Sequence, residues 1–272
     1  MAEVSDNNDQ AAPHQKLSRR RLLKGLGAAG LVAATSGALL PLKDLVAAGD
    51  ADAQASDDSD IAKHQWVMVI DLRRCDGCEK CMKGCRREHN LPEGQEWIKT
   101  LELEDASGQT YYMPVPCQHC EEPPCVNVCP VGATYKVADG AVLIDQDRCI
   151  GCRMCMAACP YDARTFNWDD PPPTDDVMGD PTPEFPVPQQ KGTVVKCVLC
   201  VHNLRFGKLP ACVKACTMRA IYIGDLKTDL ATNGKQTVKL SDLLKDNDAF
   251  HYKEELNTHP RVFYIAGHRQ DS

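Results

Sequence analysis

Aromatic residues are scarce in this 272-residue chain: three Trp, seven Tyr and five Phe are together outnumbered by 16 Cys. A chain of this length can bury a sizeable core, but this one is organised around sulfur as much as around hydrocarbon. Long apolar runs are also missing. The longest uncharged stretch, residues 25–42, contains four Gly and one Pro, a poor match to the roughly 20 predominantly apolar residues of a spanning helix. An integral membrane protein is not expected. Nor is there a basic surplus: 31 Lys and Arg face 38 Asp and Glu, a net charge of −7, whereas nucleic-acid binders normally present the opposite balance. No nucleic-acid partner is expected. No Gly-rich dinucleotide fingerprint follows a strand, no Ser/His/Asp set stands out, and no catalytic residue is assigned.

The amino terminus has the character of an address. Ser18-Arg-Arg-Arg-Leu-Leu-Lys24 precedes the uncharged stretch, and small residues follow at Ala47, Ala48, Ala53 and Ala55. A basic region, a weakly apolar region and small-residue cleavage candidates describe a secretory signal. Ser18, Arg19, Arg20, Leu23 and Lys24 resemble a twin-arginine signal, with Leu22 where Phe is commoner. The alternative is a retained membrane anchor, which the Gly content disfavours. The expected division is a signal and following segment over 1–55, cleaved within 47–55, and a functional body over 56–272. Removing 1–55 takes away six acids and six bases and leaves the net charge unchanged.

The cysteines form four blocks of four with none left over: Cys75, Cys78, Cys81 and Cys85; Cys117, Cys120, Cys125 and Cys129; Cys149, Cys152, Cys155 and Cys159; Cys197, Cys200, Cys212 and Cys216. The first and third have the C-x2-C-x2-C-x3-C spacing of bacterial ferredoxins, and Pro160 completes the motif in the third. Three thiolates two residues apart wrap a tight loop around an iron-sulfur cubane, while the fourth, one short helical step on, points away to another cluster. The following Pro ends the helix and removes an N–H that would need a partner. Zinc ribbons use two CxxC pairs separated by a longer loop and have no use for a third Cys in the row. Structural disulfides suit an exported chain, yet cysteines this closely spaced pair poorly. Both alternatives stay open beside iron-sulfur.

The blocks in their context resemble the four-cluster ferredoxin-like electron-transfer subunits of molybdenum or tungsten bis-pterin oxidoreductases, a family that includes the iron-sulfur subunits of polysulfide, thiosulfate, tetrathionate, arsenate and dimethyl sulfoxide reductases. The resemblance runs from about Gln65 to the end. It is carried by Pro116-Cys-Gln-His-Cys-Glu-Glu-Pro-Pro-Cys125 with Cys129-Pro-Val-Gly-Ala133, by Cys149-Ile-Gly-Cys-Arg-Met-Cys-Met-Ala-Ala-Cys-Pro160, and by Lys196-Cys-Val-Leu-Cys-Val-His202 with Leu209-Pro-Ala-Cys212.

The resemblance implies four [4Fe-4S] clusters, with block one paired to block four and block two to block three. Cys75, Cys78, Cys81 and Cys216 would hold the first; Cys85, Cys197, Cys200 and Cys212 the second; Cys117, Cys120, Cys125 and Cys159 the third; Cys129, Cys149, Cys152 and Cys155 the fourth. Arg86 and Thr217 stand where a Pro follows the last Cys of the other blocks. The implied partners are a molybdopterin-type catalytic subunit, an integral membrane quinone-interacting subunit and, during export, the twin-arginine translocase. The implied setting is anaerobic respiration on the periplasmic side of the cytoplasmic membrane. The chain by itself is then an electron relay and no enzyme. An autonomous iron-sulfur enzyme and a structural zinc protein are the other function classes weighed.

Strands are expected at Gln65–Ile70, Thr110–Val115, Ala141–Ile144, Ala220–Gly224 and Arg261–Ile265 from their β-branched and aromatic content, the last near a terminus expected to reach a neighbouring subunit. With a loop and short helix in each block, the expected fold is α+β, two interleaved pseudo-symmetric ferredoxin-like modules. Residues 168–190 hold seven Pro and six acids with no Lys or Arg, and are expected to form an extended surface insertion. Lys80, Lys83, Arg86 and Arg87 are suited to offset cluster charge; the equal alternative for each is a solvated basic face. His119 and His202 stand beside ligand cysteines and are not expected to be ligands themselves.

Overall fold

A computed structural model describes residues 61–172 and 181–266; the expected signal and cleavage region and the middle of the acidic insertion lie outside the described residues. In chain order the elements are β1 (Trp66–Asp71), α1 (Lys80–Glu88), β2 (Ile98–Glu104), β3 (Thr110–Pro116), α2 (Pro124–Asn127), β4 (Thr134–Lys136), β5 (Val142–Ile144), α3 (Met154–Ala157), β6 (Arg164–Phe166), β7 (Val194–Lys196), α4 (Val201–Leu204), α5 (Ala211–Ala215), β8 (Ile221–Asp225), β9 (Leu230–Thr232), β10 (Thr237–Lys239), α6 (Leu240–Lys245), β11 (Phe250–His251) and β12 (Val262–Ile265). Short helices and short strands make a mixed α+β fold.

Six strands form one sheet in the order β10-β9-β8-β1-β12-β11. The run Val67-Met-Val-Ile70 favours a strand because its residues are mostly β-branched. Successive side chains then leave opposite faces. Val67 and Val69 pack with Tyr222, Leu240 and Ile265 on one face. Met68 and Ile70 pack on the other, with Ile221, Ile223, Val262, Tyr264 and the buried cysteines Cys81, Cys85, Cys212 and Cys216. One face of the sheet is therefore the floor of a sulfur-rich core.

The expected strands are present within one residue at either end. β12 pairs in parallel with β1, Met68 opposite Val262, and lies inside the sheet with β11 beyond it; the terminus expected to reach a neighbouring subunit lies outside the described residues.

Three two-stranded ribbons complete the fold: β2 with β3, β4 with β5 and β6 with β7. They connect the cysteine blocks. β3 runs into Cys117, β4–β5 joins the second block to the third, and β6–β7 joins the third to the fourth. β1 leads into the first block, β8 leaves the fourth, and the two pair antiparallel with Met68 opposite Ile223. The first and fourth blocks thus begin and end at adjacent strands. Their helices α1 and α5 pack at Gly84, whose missing side chain leaves room for Ala215. The ends of the acidic insertion are partly tied down. Glu184 pairs with Arg205 at 3.2 Å, while Val187 and Gln189 are buried.

Candidate metal centres

All 16 cysteines are free thiols, and ten of them are buried. In the first and third blocks the loop turns at corresponding places: Gly77 and Glu79, and Gly151 and Arg153, all adopt positive φ. Such left-handed residues curl the backbone so that successive N–H groups face inward, the geometry of an anion-binding nest. Glycine is required at Gly77 for a second reason, because a Cβ there would sit 2.6 Å from the ring of Tyr112.

The thiols gather in four sets drawn from different blocks. Cys75 and Cys81 face Cys216 and Cys78. Cys85 faces Cys197 and Cys200, and Cys212 faces the same three. Cys117, Cys120, Cys125 and Cys159 line one small cavity. Cys129, Cys149, Cys152 and Cys155 line another. Neighbouring sets also meet: Cys212 and Cys85 interact with Cys81, and Cys197 with Cys117.

Ionising these thiols is costly in the bare chain. Burial, with added repulsion from neighbouring thiols, pushes Cys81, Cys120 and Cys200 up to about 12 and drives Cys85 and Cys212 well above the usual thiol range. Cys197, also buried, is pushed up to about 11. Thiols ligate metal as thiolates, so crowded sets of this kind are stable in ionised form only around compensating positive charge. Iron supplies it. Donors are already directed at sulfur. Leu199 N–H donates to Cys197 Sγ at 3.4 Å and Ala220 N–H to Cys216 Sγ at 3.3 Å. At Cys129 burial acts upward, but the N–H groups of Thr134, Val131 and Ala133 prevail and lower its pKa. The residues present therefore fit cubane clusters with thiolate ligands and N–H donors to sulfur.

The charged residues of the first block follow the solvated alternative. Lys80, Lys83 and Arg87 are exposed, and Arg86 pairs with Glu96 at 3.4 Å. Among the described residues the most deeply buried cations are Lys196 and Arg164, 1% and 2% exposed. Lys196 Nζ donates to the carbonyl oxygens of Cys197, at 2.9 Å, and Val142. Their burial follows from the β6–β7 ribbon lying between blocks, which single-residue inspection of the sequence does not reveal.

Three histidines also lie close to sulfur. His202 Nε2 is 3.1 Å from Glu88 Oε1, and His202 stands with His89 and Cys200 in a group whose ligand atoms lie within 4.8 Å of one another. His119 Nδ1 accepts from Val142 N–H at 3.0 Å. His89, which no sequence motif singles out, has Nε2 3.3 Å from Cys200 Sγ. Its ring packs against Trp97, and burial lowers its pKa to about 3, so it is neutral. The fourth set opens to solvent: Cys152 is exposed, and Ile150 and Met154 beside it are 63% and 54% exposed. Among the described residues no helix is long and apolar enough to cross a membrane.

Models of a 4Fe-4S dicluster domain match residues 66–133, 108–172 and 141–217. The chain is 40% identical over 217 residues to a subunit of the selenate reductase of Mesobacillus selenatarsenatis, covering 74% of this chain and 72% of that protein. It is 37% identical over 231 residues to the iron-sulfur subunit of the arsenate respiratory reductase of a Shewanella species, covering 73% and 94%. It is 35% identical over 236 residues to the iron-sulfur cluster-binding subunit of menaquinone reductase of Nitratidesulfovibrio vulgaris, covering 75% and 89%. With 4Fe-4S domains across its cysteine blocks and relatives that are subunits of reductases, the chain belongs to the ferredoxin-like iron-sulfur electron-transfer subunits of molybdopterin oxidoreductases.

Proposed function

We propose that the chain relays single electrons through four [4Fe-4S] clusters between a quinone-interacting membrane subunit and a molybdenum or tungsten bis-pterin catalytic subunit. Cys75, Cys78, Cys81 and Cys216 hold the first cluster, and Cys85, Cys197, Cys200 and Cys212 the second. Cys117, Cys120, Cys125 and Cys159 hold the third, and Cys129, Cys149, Cys152 and Cys155 the fourth. The fold is then two interleaved pseudo-symmetric modules, each cluster taking its last ligand from the partner block. The observation that carries the reading is the succession of the thiol sets: the first adjoins the second through Cys81 and Cys85, and the second adjoins the third through Cys197 and Cys117.

Bound there, the clusters supply one-electron storage. The polypeptide contributes the rest: it holds the ligand sulfurs at fixed spacing, shields most of them from water, and directs N–H groups and buried cations at them, the factors that set potentials. The fourth set, with exposed Ile150 and Met154 around Cys152, is the end suited to the membrane partner; the first set then faces the catalytic subunit. The relative that reduces menaquinone by name supports a quinone-linked partner. Residues 1–55 comprise a twin-arginine signal, cut within 47–55, and the segment that follows it, and residues 56–272 act on the periplasmic side. Affinity purification from native membranes is expected to recover a large molybdenum or tungsten protein and a multi-helix membrane protein with this chain. A self-sufficient monomer that turns over a substrate would contradict the relay.

A further inference from the structure

Arg164 is a buried cation without an anionic side chain of the ordinary kind. It sits on β6, five residues after Cys159, and is 2% exposed. Nη1 donates to Thr134 Oγ1 at 3.2 Å, Nη2 is buried with no oxygen or nitrogen partner, and the guanidinium is directed at the thiols of Cys125 and Cys155. Among the described residues no carboxylate pairs with it; the charges that act on the guanidinium are those of Cys125, Cys155 and Cys117. A lone guanidinium withdrawn from water is strongly unfavourable unless a negative group compensates it. Cys117 and Cys125 belong to the third thiol set, whose cavity Arg164 lines. Cys155 belongs to the fourth. Thr134, which holds one arm of the fork, is close to Cys129 of the fourth set as well.

We propose that Arg164 is a potential-setting residue shared by the third and fourth clusters, its single charge raising the reduction potential of both. The inference rests on the ligand assignment given above. Each added electron increases the negative charge on a cluster, so a fixed cation beside both favours the reduced form of each. At the short range and limited screening of a buried site, its loss is expected to disfavour reduction by at least about tenfold at each cluster, about 59 mV for one electron.

The test is an anaerobic redox titration of the loaded, full-length chain by electron paramagnetic resonance, comparing wild type, Arg164→Met and Arg164→Lys. Cys125→Ser and Cys155→Ser identify the signals of the third and fourth clusters. If they disturb the same cluster, or none, the ligand assignment fails, whatever Arg164 does. With the assignment standing, Arg164→Met is expected to lower both potentials by that amount and leave the first two clusters unmoved. Arg164→Lys, which retains the charge, is expected to restore most of the loss. Unchanged potentials in a fully loaded Arg164→Met chain would overturn the proposal, as would a shift in one cluster only or equally in all four. Should Arg164→Met lose iron from the third and fourth sites, retention by Arg164→Lys supports the role of the charge, and loss in both variants overturns it.

Discussion

Replacing Gly84 by Ala is expected to destabilise the protein although it places a better helix former inside α1. The new Cβ would lie 2.5 Å from the Cβ of Ala215 and 3.2 Å from the carbonyl oxygen of Ala211. Carbon atoms in favourable contact are about 3.5–4.0 Å apart, so α1 and α5 must separate by about 1 Å. Forcing extra volume into a packed core costs about 1–3 kcal/mol, and the gain in helix propensity returns at most about 1 kcal/mol. The middle of the first range against the full return leaves a net loss of about 1 kcal/mol, and for a body of this size each 1 kcal/mol lowers the thermal midpoint by about 2–4 °C. The assay is the midpoint of the anaerobic, cluster-loaded protein, followed by its visible absorbance. Because Ala215 supplies the nearest obstructing atom, Gly84→Ala combined with Ala215→Gly should recover part of the loss, a coupling well above the roughly 0.3–0.5 kcal/mol scatter of independent sites. Additive effects, or a stabilised Gly84→Ala protein, would refute the close approach of the helices that carry Cys81, Cys85 and Cys212.

Three further outcomes are expected. Cys85→Ser should damage the cluster of Cys197, Cys200 and Cys212 and spare the one held by its own neighbours Cys75, Cys78 and Cys81; spectroscopic loss of the latter would contradict the pairing. Asp225 should make stability fall on the acid side. Burial acts to raise its pKa, but hydrogen bonds from Gln65 and Lys227 N–H, His64 and the Thr228 hydroxyl prevail and lower it. A carboxylate with a depressed folded pKa stabilises fully above its unfolded value near 3.9 and loses that contribution as pH drops through the folded value. Asp225→Asn should flatten this dependence in acid unfolding measurements, and an unchanged slope would exclude the residue as its source. Replacing both Arg19 and Arg20 by Lys, in cells lacking any co-exported partner, should leave the chain in the cytoplasm, since the pair is read by a receptor and charge alone does not suffice; normal export of that variant would remove the twin-arginine assignment.

The strands and sulfur sites were legible for different reasons. β1 and β12 announce themselves through Val, Ile and aromatic residues, and the cysteine spacing is chemistry written in register, since loop geometry around a cubane dictates intervals of two and three. Pairing between distant strands is not written that way: the parallel partnership of β1 with β12 depends on packing across nearly the whole body. β2, with Ile98, Lys99 and Thr100 followed by alternating Leu and Glu, went unread because its alternation is half-exposed and has only β3 for a partner. The electrostatic residues were least accessible. Arg164 and Lys196 look like any other basic residues in a strand, and Lys80 and Arg87 look better placed beside a cysteine block. Only the fold puts the first pair inside and the second on the surface. His89 likewise follows an unremarkable helix end, and α1 turns it towards Cys200.

Iron, acid-labile sulfide and zinc analysis of the anaerobically purified chain tests the central claim most directly. Sixteen free thiols in four sets predict about 16 iron and about 16 sulfide per chain, with zinc in trace amounts. A zinc-dominated protein without sulfide would contradict the account.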